Sequence, residues 1–314
     1  MGRSFSSWEG DSAPAGFFRR PLGDAAASFY QDNGYLVLLD AFSPDAVEEL
    51  NRETLAICKG ERGDVGGMAK PMPGESDQSI LARTLCVHFP HKISRLMHEQ
   101  LGDPAIVELL RIVVGPNVKC MQSMLFVKSA GKPGQAWHQD EAYIPTRDRS
   151  LTGVWLALDD ATVENGCLWV VPGSQRAGVL WPMRWHGDSR FDCSWESFDS
   201  PHMGEEGVPV EVPAGAIVAF NGYLLHRSLP NRTDSGFRRA LVNHYMSAES
   251  LLPWIWPSEP TGLAQHDHRD IVMVCGEDPY ASQGTADVMK PHVRPDGEGG
   301  CIDGVREDKE AGYG

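Results

Sequence analysis

Six short stretches decide the fold: VKCMQSMLFVK (118–128), LTGVWLALDD (151–160), CLWVVPG (167–173), VPVEV (208–212), AIVAF (216–220) and RRALVNHYM (238–246). Each is rich in β-branched, aromatic or other apolar residues, and Gly, Pro, Asn and Asp cluster between them. Short strands separated by turn residues are the pattern of an antiparallel barrel or sandwich. The chain in front of them reads differently. PLGDAAASFYQDN (21–33) has helical spacing and ends at Gly34, a residue suited to closing a helix. YLVLL (35–39) reads as a short buried strand. Ser43-Pro44 opens a helix to about Lys59, and Asp103-Pro104 opens an apolar helix over 105–114 that stops at Gly115. Residues 60–80 read as loop. Helices first and strands after predict an α+β fold: a double-stranded β-helix, or jelly roll, over about 117–248, with the N-terminal helices packed on one face.

Composition supports this reading and narrows function. The 33 Gly and 22 Pro of the 314 residues exceed an ordinary globular share but fall below the level of low-complexity chains, so a long helical bundle is disfavoured. With 41% hydrophobic residues the chain can bury a large core, here read as one domain across 1–314. The formal charge of −15 disfavours nucleic acid and anionic membrane surfaces as partners. No apolar run approaches the ~20 residues of a membrane helix or the length of a signal peptide. Seven dispersed cysteines without a CxxC pattern read as reduced thiols, which predicts a cytoplasmic protein.

Two segments stand outside the strand pattern. Residues 181–206 form a long insertion carrying Trp181, Trp185, Phe191, Trp195 and Phe198, read as a substrate lid. The extension 257–314 is rich in Gly, Pro and charge, and its last twenty residues read as a mobile tail.

The chemistry-bearing motif is AWHQDEAYIP (136–145), where His138 and Asp140 lie two apart and face one side if they share a strand. A second histidine, His226, follows the strand AIVAF and the turn Asn221-Gly222. A barrel can bring an opening strand beside a late one. Two His and one carboxylate then form the facial triad that holds Fe(II) and leaves positions open. Arg238, on the next strand, offers a guanidinium fork for the far carboxylate of a dicarboxylate cosubstrate. Arg239 would face the opposite side. His244 shares the parity of Arg238 and reads equally as core or as support for the site. His266-x-His268 reads as a solvated loop, and His88, His91 and His98 as surface residues.

At this point the sequence resembles the phytanoyl-CoA dioxygenase family of Fe(II)/2-oxoglutarate oxygenases. The match runs through WHQDEAYIP (137–145), VENGCLWVVPGSQRAG (163–178), HRSLPNRTDSGFRRALVNHY (226–245) and, more loosely, GPNVKCMQSMLFVK (115–128). The resemblance implies His138, Asp140 and His226 as iron ligands and Arg238 as partner of the distal 2-oxoglutarate carboxylate. It places Trp155 and Met124 along the cosubstrate pocket and Ser228 on the same carboxylate. It implies hydroxylation of an unactivated C–H, with O₂ consumed and succinate and CO₂ released. Related halogenases replace the carboxylate ligand, so Asp140 points to hydroxylation.

The substrate is expected to be a small-molecule metabolite. An acyl-CoA needs clustered cations for its phosphates, and the insertion and its approach carry Arg176, Arg184 and Arg190 against six acids. Two other readings stay open: a cupin-type metal enzyme using another metal, and a jelly-roll binding protein without catalysis. Oligomeric state is not legible.

Overall fold

The computed structural model describes residue 5 and residues 13–255, 265–267 and 269–294. The first half holds strands β1 (Phe17–Phe18), β2 (Tyr35–Leu38) and β3 (Cys86–His88). Its helices are α1 (Asp24–Asn33), α2 (Pro44–Cys58), α3 (Asp77–Ala82), α4 (Arg95–Glu99) and α5 (Pro104–Val113). The strand-rich half runs β4 (Val118–Ser129), β5 (Gln135–His138), β6 (Thr152–Ala157), β7 (Leu168–Val170), β8 (Met183–Arg184), β9 (Glu196–Ser197) and β10 (Val208–Val210). It continues with β11 (Ile217–Asn221), β12 (His226–Ser228), β13 (Phe237–Ser247), β14 (Leu252–Ile255), β15 (Gln265–Asp267), β16 (Val272–Cys275) and β17 (His292–Arg294).

Two sheets face each other. The large one has the order β1-β2-β11-β6-β13-β4-β3-β17, with β16 also on β4, and the small one β10-β7-β12-β5. One core lies between the sheets, holding Tyr35, Val37, Trp155, Ala157, Trp169, Val170, Val218, Ala240 and Val242. A second lies between the large sheet and the helices, where Leu36, Leu38, Val154, Leu156, Leu241 and Tyr245 meet Leu50, Ile57, Leu109 and Leu110. This explains why β2 is apolar at every position: its alternate side chains serve different cores. Along β13 the even positions point between the sheets, which aims Arg238 and His244 at the site.

The helix boundaries follow their caps. Ser43 Oγ accepts from the Ala46 N–H, with Pro44 at the first helical position of α2. Asp103 accepts from the Ala105 N–H at the start of α5. Gly34 closes α1 at φ 78°, and a Cβ there would lie 2.4 Å from the Gln175 side chain.

Several expectations fail. Residues 60–80 are not all loop, because Ser76 caps α3 by accepting from Ser79 N–H. Six residues are too few to show helical periodicity. The insertion 181–206 contains the paired strands β8 and β9. Part of the C-terminal extension joins the large sheet: β16 pairs with β4 and β17 with β3. These strands have three or four residues each, and their partners, not their own pattern, define them. Cys58, Cys86, Cys120, Cys167 and Cys275 are free as expected, whereas Cys193 is disulfide-bonded. His266 and His268, and the tail from 295 onward, lie outside the residues whose side chains are described. No described helix is long and apolar enough to cross a membrane.

Leu241 is fully buried where β13 meets the helices. Leu241→Ala should lower unfolding free energy by about 2–5 kcal/mol through lost burial and a residual cavity. Chemical denaturation checks this; a loss below about 1 kcal/mol would mean the second core is not packed as described.

Candidate active site

The antiparallel pairing of β12 with β5 places His226 directly opposite His138, and the two rings sit 4.1 Å apart between centroids. Asp140 is not on the strand with His138, as the two-residue spacing suggested. It opens a 3-10 turn, Asp140–Ala142, just beyond β5. The turn carries its carboxylate back to the pair: Asp140 Oδ1 is 3.4 Å from His138 Nε2 and 3.6 Å from His226 Nε2. Glu141 anchors this turn, its Oε1 accepting from the Thr146 N–H and hydroxyl at 2.6 Å each. The ligand atoms of His138, Asp140 and His226 all lie within 4.8 Å of one another.

The protonation of each donor is fixed by its other partner. His138 Nδ1 donates to the Ala136 carbonyl at 2.8 Å, and His226 Nδ1 to the Leu224 carbonyl at 2.9 Å. A neutral imidazole with its proton on Nδ1 presents a lone pair at Nε2, so both lone pairs face Asp140. The Gln135 amide, donating to His138 Nε2 at 3.0 Å, is consistent with that tautomer. Burial, with His138 alongside, lowers the His226 pKa to about 4, which keeps the ring neutral. Burial alone would raise the Asp140 pKa, but the surrounding imidazoles, foremost His226 and His244, outweigh it and hold the carboxyl well below its usual range.

His244 settles its open reading as support. Its Nε2 donates to Asp140 Oδ2 at 3.0 Å, which leaves Oδ1 as the carboxylate oxygen turned to the two imidazoles. The set is two nitrogens and one oxygen, all with available lone pairs and no thiolate. Such donors fit a non-haem ferrous ion and leave one face of it open.

The triad opens into a cavity of about 430 Å³. Arg238, Ser228, Trp155 and Met124 line it with the triad, so every predicted site residue is brought together. Arg238 is 2% exposed, its guanidinium 5.4 Å from the Trp155 ring centre. Its Nε donates to the Gly166 carbonyl at 3.1 Å, while Nη1 has no partner. Among the described residues no carboxylate reaches it. Arg239 faces the other way, as expected, and pairs with Asp159 at 2.6 Å.

Other lining residues were not foreseen. His88, read as a surface residue, lines the cavity beside Gln122, stacks on His292 at 4.7 Å, and burial pushes its pKa down to about 3. His91 is buried, with Nδ1 against Ser123 Oγ, and of the three only His98 is exposed as predicted. The insertion contributes Cys193, Ser194 and Trp195 to the cavity wall. Arg294 arrives from β17, its Nη2 3.1 Å from Asp192 Oδ2. Parity could have flagged His88, since His88 sits opposite Met124 in the β3–β4 pairing. No local signal could have flagged Arg294.

The chain matches the family described as phytanoyl-CoA dioxygenase (PhyH) over residues 30–240. It is 40% identical to phytanoyl-CoA dioxygenase 1 of Oryza sativa subsp. japonica over 263 residues, 73% of this chain and 90% of that protein. It is 28% identical to the peroxisomal phytanoyl-CoA dioxygenase of Rattus norvegicus, covering 88% of this chain and 85% of the relative. Among solved structures, the non-heme monooxygenase ThoJ overlays with TM-score 0.61 at 18% identity, covering 91% of this chain and 93% of ThoJ. The epimerase SnoN, solved with Fe3+, alpha ketoglutarate and nogalamycin RO, gives 0.58 at 19% identity over 76% of this chain and 92% of its own. At these identities the structural likeness establishes the jelly-roll fold, while the sequence matches establish kinship. The chain belongs to the phytanoyl-CoA dioxygenase family and is an Fe(II)- and 2-oxoglutarate-dependent dioxygenase.

Proposed function

We propose that this dioxygenase hydroxylates an unactivated C–H of a small-molecule metabolite, consuming O₂ and releasing succinate and CO₂. The observation that carries the reading is one cavity holding the preoriented groups His138, Asp140 and His226 beside a buried guanidinium with no carboxylate partner among the described residues. His138, Asp140 and His226 would hold the iron, and Arg238 with Ser228 the distal carboxylate of 2-oxoglutarate. Trp155 and Met124 would flank its carbon chain. When bound, iron and 2-oxoglutarate supply the oxidising power; the protein supplies position, charge and exclusion of water.

Each residue has a definite task in that scheme. The two backbone carbonyls that hold Nδ1–H fix ring orientation, so neither histidine needs reorganisation to accept the metal. His244 donates to Asp140 Oδ2, which would leave Oδ1 to hold the iron. The low Asp140 pKa keeps the carboxylate ionised throughout the neutral range. Arg238 lies among Trp155, Phe126 and Leu168 in a low-dielectric pocket, where an ion pair is strong.

The structure favours a small substrate over an acyl-CoA. The insertion's arginines are already engaged: Arg184 with Glu196 at 2.8 Å, and Arg190 with Asp188 at 3.0 Å. Arg176, just before the insertion, donates to the Asp32 carbonyl at 2.9 Å. No free cluster of cations among them is ready for a nucleotide diphosphate. Residues 193–195 line the cavity, so the insertion is proposed as its lid.

Succinate formation and O₂ uptake should depend on Fe(II), 2-oxoglutarate and a metabolite drawn from a library; an inert protein that also fails to bind 2-oxoglutarate would sink this reading. His138→Ala should abolish Fe(II) binding in an anaerobic titration, and unchanged affinity would remove it from the ligand set. His244→Ala should weaken Fe(II) binding roughly 10–100-fold while the fold is retained. Arg238→Met should cost about 2–5 kcal/mol in 2-oxoglutarate binding, or roughly 30-fold or more in Kd, without altering iron affinity.

A further inference from the structure

The cation opposite Arg238 belongs to the site as well. In the β13–β4 pairing Arg238 lies directly across from Lys128. Like charges in that relation repel, and neither side chain has a carboxylate partner among the described residues. Lys128 is 2% exposed, and its Nζ donates to two neutral oxygens, the Leu229 carbonyl at 2.8 Å and Ser228 Oγ at 2.9 Å. Gly166 makes room for both cations. A Cβ there would come within 3.1 Å of Lys128 Nζ and 2.3 Å of the Leu229 carbonyl, while the Gly166 carbonyl itself accepts from Arg238. Two unneutralised cations side by side in a dry interior are costly unless one sheds its proton or an anion arrives.

Ser228 transmits this to the cavity. Its Oγ accepts from Lys128 Nζ and from the Gln135 N–H at 3.3 Å, which occupies both lone pairs. Its own proton is then directed elsewhere, and Ser228 lines the cavity together with Arg238. Lys128 is absent from the wall and stands behind Ser228.

We propose that Lys128 is a positioning residue for 2-oxoglutarate: it holds Ser228 as a hydroxyl donor to the distal carboxylate and takes up one proton as that carboxylate binds. The proton comes from solvent and forms a third N–H bond on Nζ; nothing else is made or broken. Before binding, burial and then the Arg238 charge push the Lys128 pKa well below the usual lysine range. Other groups facing Lys128 leave that balance intact. Asp192 is neutralised by Arg294, and burial keeps the Cys167 thiol protonated, its pKa raised to about 12. An arriving carboxylate reverses the sign of the local field and restores the ammonium. The sign of the linkage follows: a complex that binds one more proton than its components weakens as pH rises, by up to about tenfold per unit.

This inference rests on the 2-oxoglutarate reading, and the test separates the two. Anaerobic calorimetry on the Fe(II)-loaded protein, run in two buffers of different ionisation enthalpy near pH 8, counts protons per ligand bound. Wild type should take up close to one proton with 2-oxoglutarate and none with 2-oxopentanoate, which lacks the distal carboxylate. Lys128→Met should lose the proton uptake and bind 2-oxoglutarate at least tenfold more weakly, yet bind 2-oxopentanoate as wild type does. No proton uptake by wild type, or an equal loss of both ligands in the variant, overturns the proposal. If the variant does not fold, the wild-type proton count with the two ligands decides alone. Failure of wild type to bind 2-oxoglutarate at all would instead overturn the cosubstrate assignment.

Discussion

The register between β5 and β12 is the constraint on which the rest depends. It joins residues 88 positions apart in sequence and sets His138 opposite His226. A slip of one residue would turn each imidazole to the other face of the small sheet. The sheet therefore does more than support the site: its ladder sets the distance between the two imidazoles. The third residue of the cluster comes from where the ladder ends. Because β5 stops at His138 and the chain enters a 3-10 turn, Asp140 swings back over the pair instead of pointing along the strand.

Charge is arranged by a similar division of labour. Outside the cavity the arginines mostly pair with acids, as Arg20 does with Glu108, Arg62 with Glu53 and Arg239 with Asp159. At its wall Arg238, and behind the wall Lys128, hydrogen-bond to neutral oxygens and have no carboxylate partner among the described residues. The −15 formal charge of the chain thus coexists with a small volume of positive potential. That volume is maintained by burial, since exposed cations would attract acids from an acidic surface. An anionic cosubstrate bound as proposed would relieve a repulsion built into the strand pairing.

Much of this was legible in the sequence because it is local. Caps at Ser43, Asp103 and Gly34 announce their helices within four residues, and the strands of the jelly roll announce themselves by length and alternation. Parity along β13 was enough to place Arg238 and His244 on one face. The same parity along β4 runs through Met124, Phe126 and Lys128, so Lys128 could have been read from its neighbour, had an apolar face not made a lysine look like a strand end. What escaped was defined by partners far away: the turn that carries Asp140, the cavity position of half-buried His88 and the burial of His91, and the strands of the C-terminal extension.

Those C-terminal strands change how the cavity should be understood. β17 adds to the edge of the large sheet beside β3, which brings Arg294 opposite Cys86 and into the cavity wall. There the guanidinium meets Asp192 from the insertion and approaches Gln135 of β5 at 3.5 Å. Gln135 in turn touches His138 through its side chain and Ser228 through its backbone N–H. One buried ion pair therefore links the insertion, the C-terminal extension and both halves of the cavity, the His138–Asp140–His226 cluster and the Arg238–Ser228 end. Asp192 is itself held by Ser194, whose N–H and hydroxyl both donate to its Oδ1. A segment that looks like a charged appendage in sequence is, by this geometry, part of the cavity wall, and the insertion packs against it through Asp192 rather than against the jelly roll alone.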